Sequence, residues 1–373
     1  MTSQTISKKK SKRIFYLDAL RAFAILSVII FHVSIRSQSL MLGDFGVVPG
    51  INWYIGDFIG VCMRTGVDVF LMLSGALSLG RVWDIKTFLG KRIPRIVLPF
   101  IFWASILSCS ILALQFYYPD IVNVIDPFNF KNSIKYIMGA FLATSSHGFK
   151  TYWFFWMIIG TYLIMPIFNK WLLHSDLKEA EYFLVFWLIT CIFDFTLNKE
   201  FPISLTYFSG PIGMVILGYY LRHTERKIFD NLYVPILLMI IGVVTLMYGS
   251  YLKSTPDELY RFNRYSIFMA IEVAGIFLFA RNIGRYHIDI NFFNNPNGIF
   301  RKSVFSLAKY SYGIYLIHAP IMDTVKDLMI YLGHFNVFLP VTLALFVFTL
   351  IISWTIMAVL NRVPHIKNVI GAK

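Results

Sequence analysis

Asp18, Arg21 and His32 interrupt a largely apolar stretch, residues 15–36, which ends at Arg36. In an α-helix, at about 100° and 1.5 Å per residue, their spacing places Arg21 and His32 on one side, about 16 Å apart. Asp18 lies one turn before Arg21 on the same side. Ionisable groups in a membrane-spanning helix usually face a protein interior or a water-filled cavity and mark a functional path. We therefore interpret this helix as one wall of an active site that crosses much of a bilayer.

A histidine is the side chain best suited to proton transfer near neutral pH. A second pair of charges, Arg64 and Asp68, lies one turn apart in the next apolar stretch, where an internal ion pair is feasible. Helix rise puts Asp68 at the depth of Arg21, so either Asp68 or Asp18 is expected to hold this arginine. His32 would then stay neutral and act as a general base. The alternative for His32 is a packed, hydrogen-bonded side chain with a structural role.

A basic segment with the sequence KRIPR, residues 91–95, precedes the third apolar stretch. One interpretation is the basic flank that membrane helices commonly carry on their cytoplasmic side. The other is an anion site formed by Lys91, Arg92 and Arg95, with Pro94 in the first turn of the helix. Guanidinium groups and the N–H groups of a helix N-terminus both suit phosphates. The residues themselves leave these two interpretations open.

Aromatic side chains cluster at the start of the fourth apolar stretch: Tyr152, Trp153 and Trp156. They are typical either of an interfacial aromatic belt or of a sugar-stacking surface above a catalytic well. A later stretch carries Tyr315 and His318 on neighbouring turns. These two side chains either line the same cavity or form structural hydrogen bonds.

Other polar residues inside the apolar stretches give weaker indications. Glu272 lies deep in one of them and needs a partner that the sequence does not identify. Asp323 and Lys326 are spaced to pair on one helix. No spacing of His, Cys, Asp and Glu is typical of a metal site, so no metal is predicted. Three cysteines without paired spacing are expected to be inert apolar residues: Cys62, Cys109 and Cys191.

The composition is that of a membrane protein. Of the 373 residues, 57% are hydrophobic and only 14% are charged, with a mean hydropathy of +0.65, which excludes an ordinary soluble domain. A net charge of +14 would suggest a nucleic-acid partner in a soluble protein. Here most Lys and Arg residues fall in alternate loops, so the charge indicates membrane orientation and no nucleic-acid partner.

The apolar stretches predict an all-α polytopic membrane protein with about ten transmembrane helices. Residues 1–13 would form a basic cytoplasmic tail, residues 14–360 one membrane domain and residues 361–373 a second cytoplasmic tail. The predicted spans are 14–36, 53–79, 94–116, 152–171, 181–198, 204–221, 232–252, 264–281, 304–331 and 336–360.

Five segments, taken in order, resemble the signatures of the membrane-bound acyltransferase-3 family. In the first, YLDALRAFAILSVIIFH, Arg21 and His32 fit the family's spacing of an Arg or Lys, ten residues and a His. In KRIPRIVLPF, Arg92 and Arg95 fit its RxxR element. The remaining segments are GVDVFLMLSGALSLG, YWFFWMIIGTYLIMPIF and SYGIYLIHAPI. Within this family the chain is most similar to the O-acetyltransferases of bacterial surface polysaccharides.

The resemblance implies an activity, a donor and an acceptor. Acetyl-CoA would bind from the cytoplasm, with its phosphates at Arg92 and Arg95, and Arg21 would position it or stabilise the oxyanion. The acyl group would be transferred to a hydroxyl of a surface or lipid-linked glycan. His32 would act in this transfer either as the general base or as a transient carrier of the acyl group. Some members carry a fused extracytoplasmic domain, and its absence here suggests that this chain completes the reaction or uses a separate partner.

Two other functions are compatible with the sequence. A transporter or flippase for a lipid-linked saccharide would also bury charges and break a helix, as Gly210-Pro211 does in the sixth span. The absence of an inverted repeat argues against it. A transferase for another acyl group, such as succinyl, is the second alternative. The expected location is the cell membrane of a bacterium, with homo-oligomers left open.

Overall fold

Helices account for all regular secondary structure in the described residues. The computed structural model describes residues 14–40, 51–254, 260–286, 298–333 and 338–372, with no strand among them. The predicted basic tail, residues 1–13, lies outside this set. The described α-helices are α1 (Phe15–Leu40), α2 (Ile51–Met63), α3 (Gly66–Ser78), α4 (Ile85–Tyr117), α5 (Phe130–Phe141), α6 (Trp153–Leu173), α7 (Leu177–Ile192), α8 (Pro211–His223), α9 (Tyr233–Lys253), α10 (Ile267–Tyr286), α11 (Ile299–Leu332) and α12 (Phe338–Leu360).

Eight helical segments in the described part of the chain are long and apolar enough to cross a membrane. They correspond to eight of the predicted spans and confirm the all-helical, multi-pass class. The α-helix in the region of the predicted span 204–221 is α8, which has only 13 residues. The predicted span 304–331 lies in α11, which has 34 residues but carries charges along its length. The first of these two segments is too short to count among the eight, and the second is too polar.

Helix α1 is the centre of the bundle, in contact with α2, α3, α10, α11 and α12. Apolar side chains in its middle are fully buried, among them Ala24, Ile25 and Ile29. The contact with α3 depends on Gly66, because a Cβ there would lie 2.5 Å from the carbonyl oxygen of Ala24. The second predicted span is broken at a turn over residues 64–65, which separates α2 from α3. The polar side chains of α1 are therefore held by close helix packing.

The segment before α6 is fastened to the middle of α11. Gly148 has φ +86°, and a Cβ there would approach the Ala319–Pro320 backbone to 2.4 Å. The Tyr152 hydroxyl donates to the carbonyl of Leu316 at 2.8 Å. In the opposite direction, the Tyr315 hydroxyl donates to the carbonyl of Thr151. These reciprocal hydrogen bonds fix the part of α11 that carries Tyr315 and His318.

The chain after α12 folds back onto the bundle. Ile370 is fully buried, and its carbonyl accepts a hydrogen bond from Trp103 Nε1 at 3.1 Å. Gly371 lies against Tyr312 and Gly313 of α11. Part of the segment predicted as a C-terminal tail therefore belongs to the folded bundle.

Candidate active site

A cavity of about 950 Å³ lies at the end of the bundle where α1 begins. Its walls come from α1, α3, α4, α6 and α11, and along α11 it extends from Lys302 to Tyr315. Thirteen residues of helix correspond to a depth of about 20 Å. The volume is at the upper end of the range for small-molecule sites, about 300–1,000 Å³. The cavity is therefore large enough for an extended ligand.

Basic side chains dominate the charged groups of this cavity. One acid, Asp18, is present among the described lining residues. A concave site lined by one sign of charge concentrates ligands of the opposite sign. The basic residues are Arg21, Arg92, Arg95, Lys302 and Lys309.

Two arginines of the predicted anion site line this cavity, but the helix N-terminus does not. Helix α4 begins at Ile85, and the Asp84 side chain caps it by accepting a hydrogen bond from Thr87 N at 3.2 Å. Pro94 therefore lies inside the helix and not in its first turn. Arg92 and Arg95 line the cavity, whereas Lys91 is exposed outside it. Any anion binding here depends on side chains.

Arg92 is the more firmly held of these two arginines. Its Nη2 donates to Ser78 Oγ at 2.9 Å, and its guanidinium lies 5.8 Å from the centre of the Phe88 ring. Arg95, one turn further along α4, is exposed. The pair combines one positioned guanidinium with one that is free to adjust to a ligand.

The Arg21 guanidinium binds Asp18. Arg21 Nη1 lies 3.1 Å from Asp18 Oδ1, and both side chains line the cavity. Asp68 is completely buried, and its carboxylate oxygens have no side-chain hydrogen-bond partner among the described residues. The alternative in which Asp68 holds Arg21 is therefore wrong. That alternative assumed that the second span is one unbroken helix. The turn before α3 shifts Asp68 from the position that such a helix would give it.

Asp68 belongs to a separate group of charges beside the site. The positive charges of Arg264 and Arg64 both act on its carboxylate. Arg64 donates to the Phe262 carbonyl, and the Arg264 guanidinium lies 4.1 Å above the Trp153 ring. Arg264, which precedes α10, also acts electrostatically on His32, although neither a motif nor helix spacing in the sequence points to it.

The two predicted imidazoles face each other. The ring centres of His32 and His318 are 5.5 Å apart. His318 is fully buried, and its Nδ1 lies 2.7 Å from the Tyr315 carbonyl oxygen. Because a carbonyl only accepts hydrogen bonds, Nδ1 carries the proton and Nε2 is the unprotonated nitrogen of the neutral ring. That Nε2 has no hydrogen-bond partner among the described residues.

A row of rings connects the basic cavity with α1. Tyr315 lines the cavity, and its ring centre is 5.8 Å from that of His318. His32, the next ring in the row, is half-buried and does not line the cavity. The cavity therefore ends at Tyr315, two rings before His32.

An ion pair lies one helical turn beyond His32. Arg36 binds Asp323 through two contacts, Nε to Oδ1 at 2.6 Å and Nη2 to Oδ2 at 3.1 Å. Lys326 pairs with Asp327 at 3.2 Å. The predicted pairing of Asp323 with Lys326 is therefore wrong, because the bidentate contact with α1 takes this carboxylate.

His147 is a further polar residue near Asp323 and Asp327. Its Nε2 lies 2.9 Å from Thr324 Oγ1, and its Nδ1 lies 3.5 Å from Asp327 Oδ2. Burial lowers the pKa of the His147 imidazole, although the neighbouring carboxylates of Asp323 and Asp327 act in the opposite direction. Through these contacts with Thr324 and Asp327, this histidine links the loop before α6 to α11.

The three predicted aromatic residues have different environments. Tyr152 has no exposed surface, so its ring is not available for stacking on a sugar, and its hydroxyl supports α11. Trp153 is half-buried beneath the Arg264 guanidinium. Trp156 is exposed, and its Nε1 donates to the Phe141 carbonyl at 3.0 Å. Glu272 lies outside the site, in a second cavity.

Two further basic residues of the cavity were not predicted, although their spacing in the sequence indicates them. Lys302 and Lys309 are seven residues apart on α11, which is two helical turns, and Phe305 and Tyr312 follow them at three residues. This spacing predicts one helix face, and all four side chains line the cavity. No group of three or more His, Cys, Asp and Glu side chains within the described ranges is arranged to hold a metal ion.

The chain belongs to the acyltransferase-3 family, whose model, described as an acyltransferase domain, matches residues 14–358. No curated protein matches the chain, and no solved structure matches it. The family assigns an acyltransferase activity to this multi-pass membrane protein. The match covers nearly the whole chain and includes every residue of α1 to α11.

Proposed function

We propose that this protein transfers an acetyl group from acetyl-CoA to a hydroxyl of a surface or lipid-linked glycan in a bacterial cell membrane. One observation carries the proposal. The basic cavity at the start of α1 ends at Tyr315, and the rings of His318 and His32 continue from Tyr315 to the other half of the same helix. A polyanionic donor and a proton acceptor are thereby connected along one helix.

The basic cavity suits the phosphates of coenzyme A. Arg92, Arg95 and Lys302 offer guanidinium and ammonium donors at its mouth, and charge-assisted hydrogen bonds to phosphate are among the strongest in proteins. The pantetheine arm would follow the wall formed by Lys309, Tyr312 and Tyr315. Because coenzyme A does not cross membranes, this mouth would face the cytoplasm.

His32 would then act as the general base. Its imidazole removes the proton of the acceptor hydroxyl, whose oxygen attacks the carbonyl carbon of the thioester. The carbon–sulfur bond breaks, and the thiolate of coenzyme A takes the proton from the imidazolium. Arg21 is too far along α1, about 16 Å, to stabilise this oxyanion, so its role is to position the donor. The charges of Arg36 and Arg264 act on His32 and would provide that stabilisation.

The alternative route passes through an acyl-enzyme. His32 would attack the thioester, carry the acetyl group and release it to the acceptor. An acceptor-independent burst of free coenzyme A, equal to the enzyme present, would support this route. Direct transfer would give no burst. The acceptor sugar would contact Trp153 and Trp156.

The experiment is a measurement of thioester consumption by the purified protein. Free thiol is followed with acetyl-CoA, with and without an isolated surface glycan, and succinyl-CoA replaces acetyl-CoA in a parallel reaction. The proposal expects acceptor-dependent release of coenzyme A and acetylated glycan by mass spectrometry. Turnover with succinyl-CoA alone would assign a different acyl group. Movement of a lipid-linked saccharide across vesicles without thioester cleavage would instead establish a flippase.

A further inference from the structure

A second cavity, of about 890 Å³, lies on the opposite side of α1 from the basic cavity. Asp18 and Arg21 face the first cavity, while apolar residues interleaved with them face the second. Helices α2, α9 and α10 and the first turn of α11 complete its walls. The residues from the first half of α1 are Phe15, Tyr16, Ala19, Leu20 and Phe23.

The depth of this cavity matches one leaflet of a bilayer. On α10 its lining extends from Glu272 to Gly284, and twelve residues of helix correspond to about 18 Å. Half of a hydrocarbon core of about 30 Å is about 15 Å. Helix α10 therefore provides an apolar wall as long as the hydrocarbon chains of one leaflet.

The second cavity is open towards the side of the bundle. Phe58, Ile240 and Val244 line it and are also exposed on the protein surface. In a bilayer this surface is in contact with lipid chains. A lipid can therefore enter from the membrane plane, without passing through either end of the bundle.

Charged groups mark the two ends of this apolar wall. Glu272 is buried at the deep end, where its Oε2 has no hydrogen-bond partner among the described residues. Arg301 lies at the end where α1 begins, 4.6 Å above the Phe15 ring and 5.5 Å from the Phe305 ring. No carboxylate of the described residues lies within ion-pair distance of Arg301. A carboxyl group thus limits the apolar wall at one end, and a cation lies at the other.

Two neighbouring arginines show what makes Arg301 different. Arg285 donates to Asp230 at 2.6 Å, and Arg281 donates to the Leu221 carbonyl at 2.6 Å. Both have protein acceptors, whereas the described contacts of Arg301 are with aromatic rings. A guanidinium at the edge of an apolar cavity is complementary to an anion that is attached to a hydrocarbon chain.

We propose that the second cavity binds one anionic phospholipid of the leaflet that surrounds the start of α1. Its hydrocarbon chains lie along α9 and α10, and its phosphate binds Arg301. The long apolar wall favours a membrane lipid over a soluble phosphate, and the single cation distinguishes this cavity from the basic donor cavity. The lipid site does not depend on the acyl-transfer proposal, because the two cavities lie on different sides of α1.

The experiment maps a photoreactive lipid on the full-length protein. The protein is placed in nanodiscs of phosphatidylcholine that contain a trace of phosphatidylglycerol with a diazirine in one acyl chain. After irradiation, mass spectrometry locates the labelled peptides. The proposal expects label on the cavity side of α9 and α10, at Met239, Val243 and Ile276. Unlabelled phosphatidylglycerol should displace this label more effectively than phosphatidylcholine does.

Matched variants test whether the cavity itself is the site. Val243→Trp fills the cavity and should remove the label, whereas Ile241→Trp, at an exposed residue of the same helix that does not line the cavity, should retain it. Arg301→Gln should reduce the preference for phosphatidylglycerol about fivefold, the effect of one basic side chain near an anionic surface. If Val243→Trp does not fold, Ala280→Phe fills the cavity from α10 and decides the question.

Two outcomes would overturn the lipid site. One is label spread evenly over the exposed helix faces and unchanged by the filling variants, which would indicate annular lipid only. The other is equal displacement by both lipids in the wild-type protein, which would remove the role of Arg301. Neither outcome depends on thioester turnover, so a failure of the acyl-transfer proposal would be recognised separately.

Discussion

The two halves of α1 carry polar residues in contrasting surroundings. Near its start, Arg21 borders a cavity in which five basic side chains meet one acid. Near its end, His32 lies next to a second imidazole, and the neighbouring Arg36 forms a bidentate ion pair with Asp323. The first region has excess positive charge and open volume, whereas the second has compensated charge and close packing.

Under the proposed function, this difference would separate donor binding from chemistry along one helix. Excess charge in an open cavity favours a polyanionic ligand, and the flexible arginine and lysine side chains adjust to it. Near His32, the Arg36–Asp323 ion pair joins α1 to α11, and the His318 ring centre lies 5.5 Å from that of His32. Substitutions in the first region should therefore change donor affinity, and substitutions in the second should change turnover.

The largest expected effect is from His32→Ala. Loss of a general base lowers turnover by about 10²- to 10⁴-fold. Donor affinity should remain unchanged, because His32 does not line the basic cavity. Thiol release and a direct acetyl-CoA titration measure the two quantities. His174→Ala, at an exposed histidine directly after the end of α6, is the control, and normal turnover of His32→Ala would reject the assignment.

The next largest effect is from Arg92→Ala combined with Arg95→Ala. A hydrogen bond to a charged group is worth about 1.5–3 kcal/mol, so the dissociation constant of acetyl-CoA should rise by about tenfold to a hundredfold. Titration at two salt concentrations measures this change and its electrostatic part. Lys91→Ala, which removes a cation outside the cavity, should leave affinity unchanged. An unaltered constant in the double variant would remove the phosphate site.

A smaller effect is expected from Asp323→Asn. The variant keeps the shape of the side chain but removes the charge that fixes Arg36 one turn from His32. Turnover should fall about tenfold, while acetyl-CoA affinity stays the same. Asp327→Asn, one turn further along α11 and paired with Lys326, should have a lesser effect. A change in donor affinity with normal turnover would contradict the proposed division of α1.

The smallest effect is expected from Tyr152→Phe. Removal of the hydroxyl leaves the Leu316 carbonyl without this donor, which costs about 1 kcal/mol and lowers the unfolding temperature by about 2 °C. The KM for the acceptor should not change, because the ring is buried. An altered acceptor KM at unchanged thermal stability would restore the sugar-stacking role that the sequence suggested.

Local helix periodicity explains what could be predicted from the sequence. Asp18 and Arg21 are close on one helix turn, and Arg92 and Arg95 are three residues apart, so their neighbours follow from spacing alone. Both pairs line the basic cavity. Long apolar stretches likewise predicted the eight helices that can span a membrane.

Contacts between distant segments could not be predicted in this way. Arg36 and Asp323 are 287 residues apart in sequence, and Asp323 had a nearer candidate partner in Lys326. The start of α4 was also placed too late, because hydropathy ends at the basic segment while the helix continues back to its cap at Asp84. The turn before α3 was missed because Arg64 and Thr65 contain neither Gly nor Pro.

The most direct test of the central claim is a measurement of transfer across a sealed membrane. Wild-type protein is reconstituted into proteoliposomes with acetyl-CoA only inside and the glycan acceptor only outside. For molecules whose basic cavity faces the lumen, we predict free coenzyme A inside and acetylated glycan outside, in equal amounts. Acetylation only when donor and acceptor share one compartment would contradict a path along α1 from the basic cavity to His32.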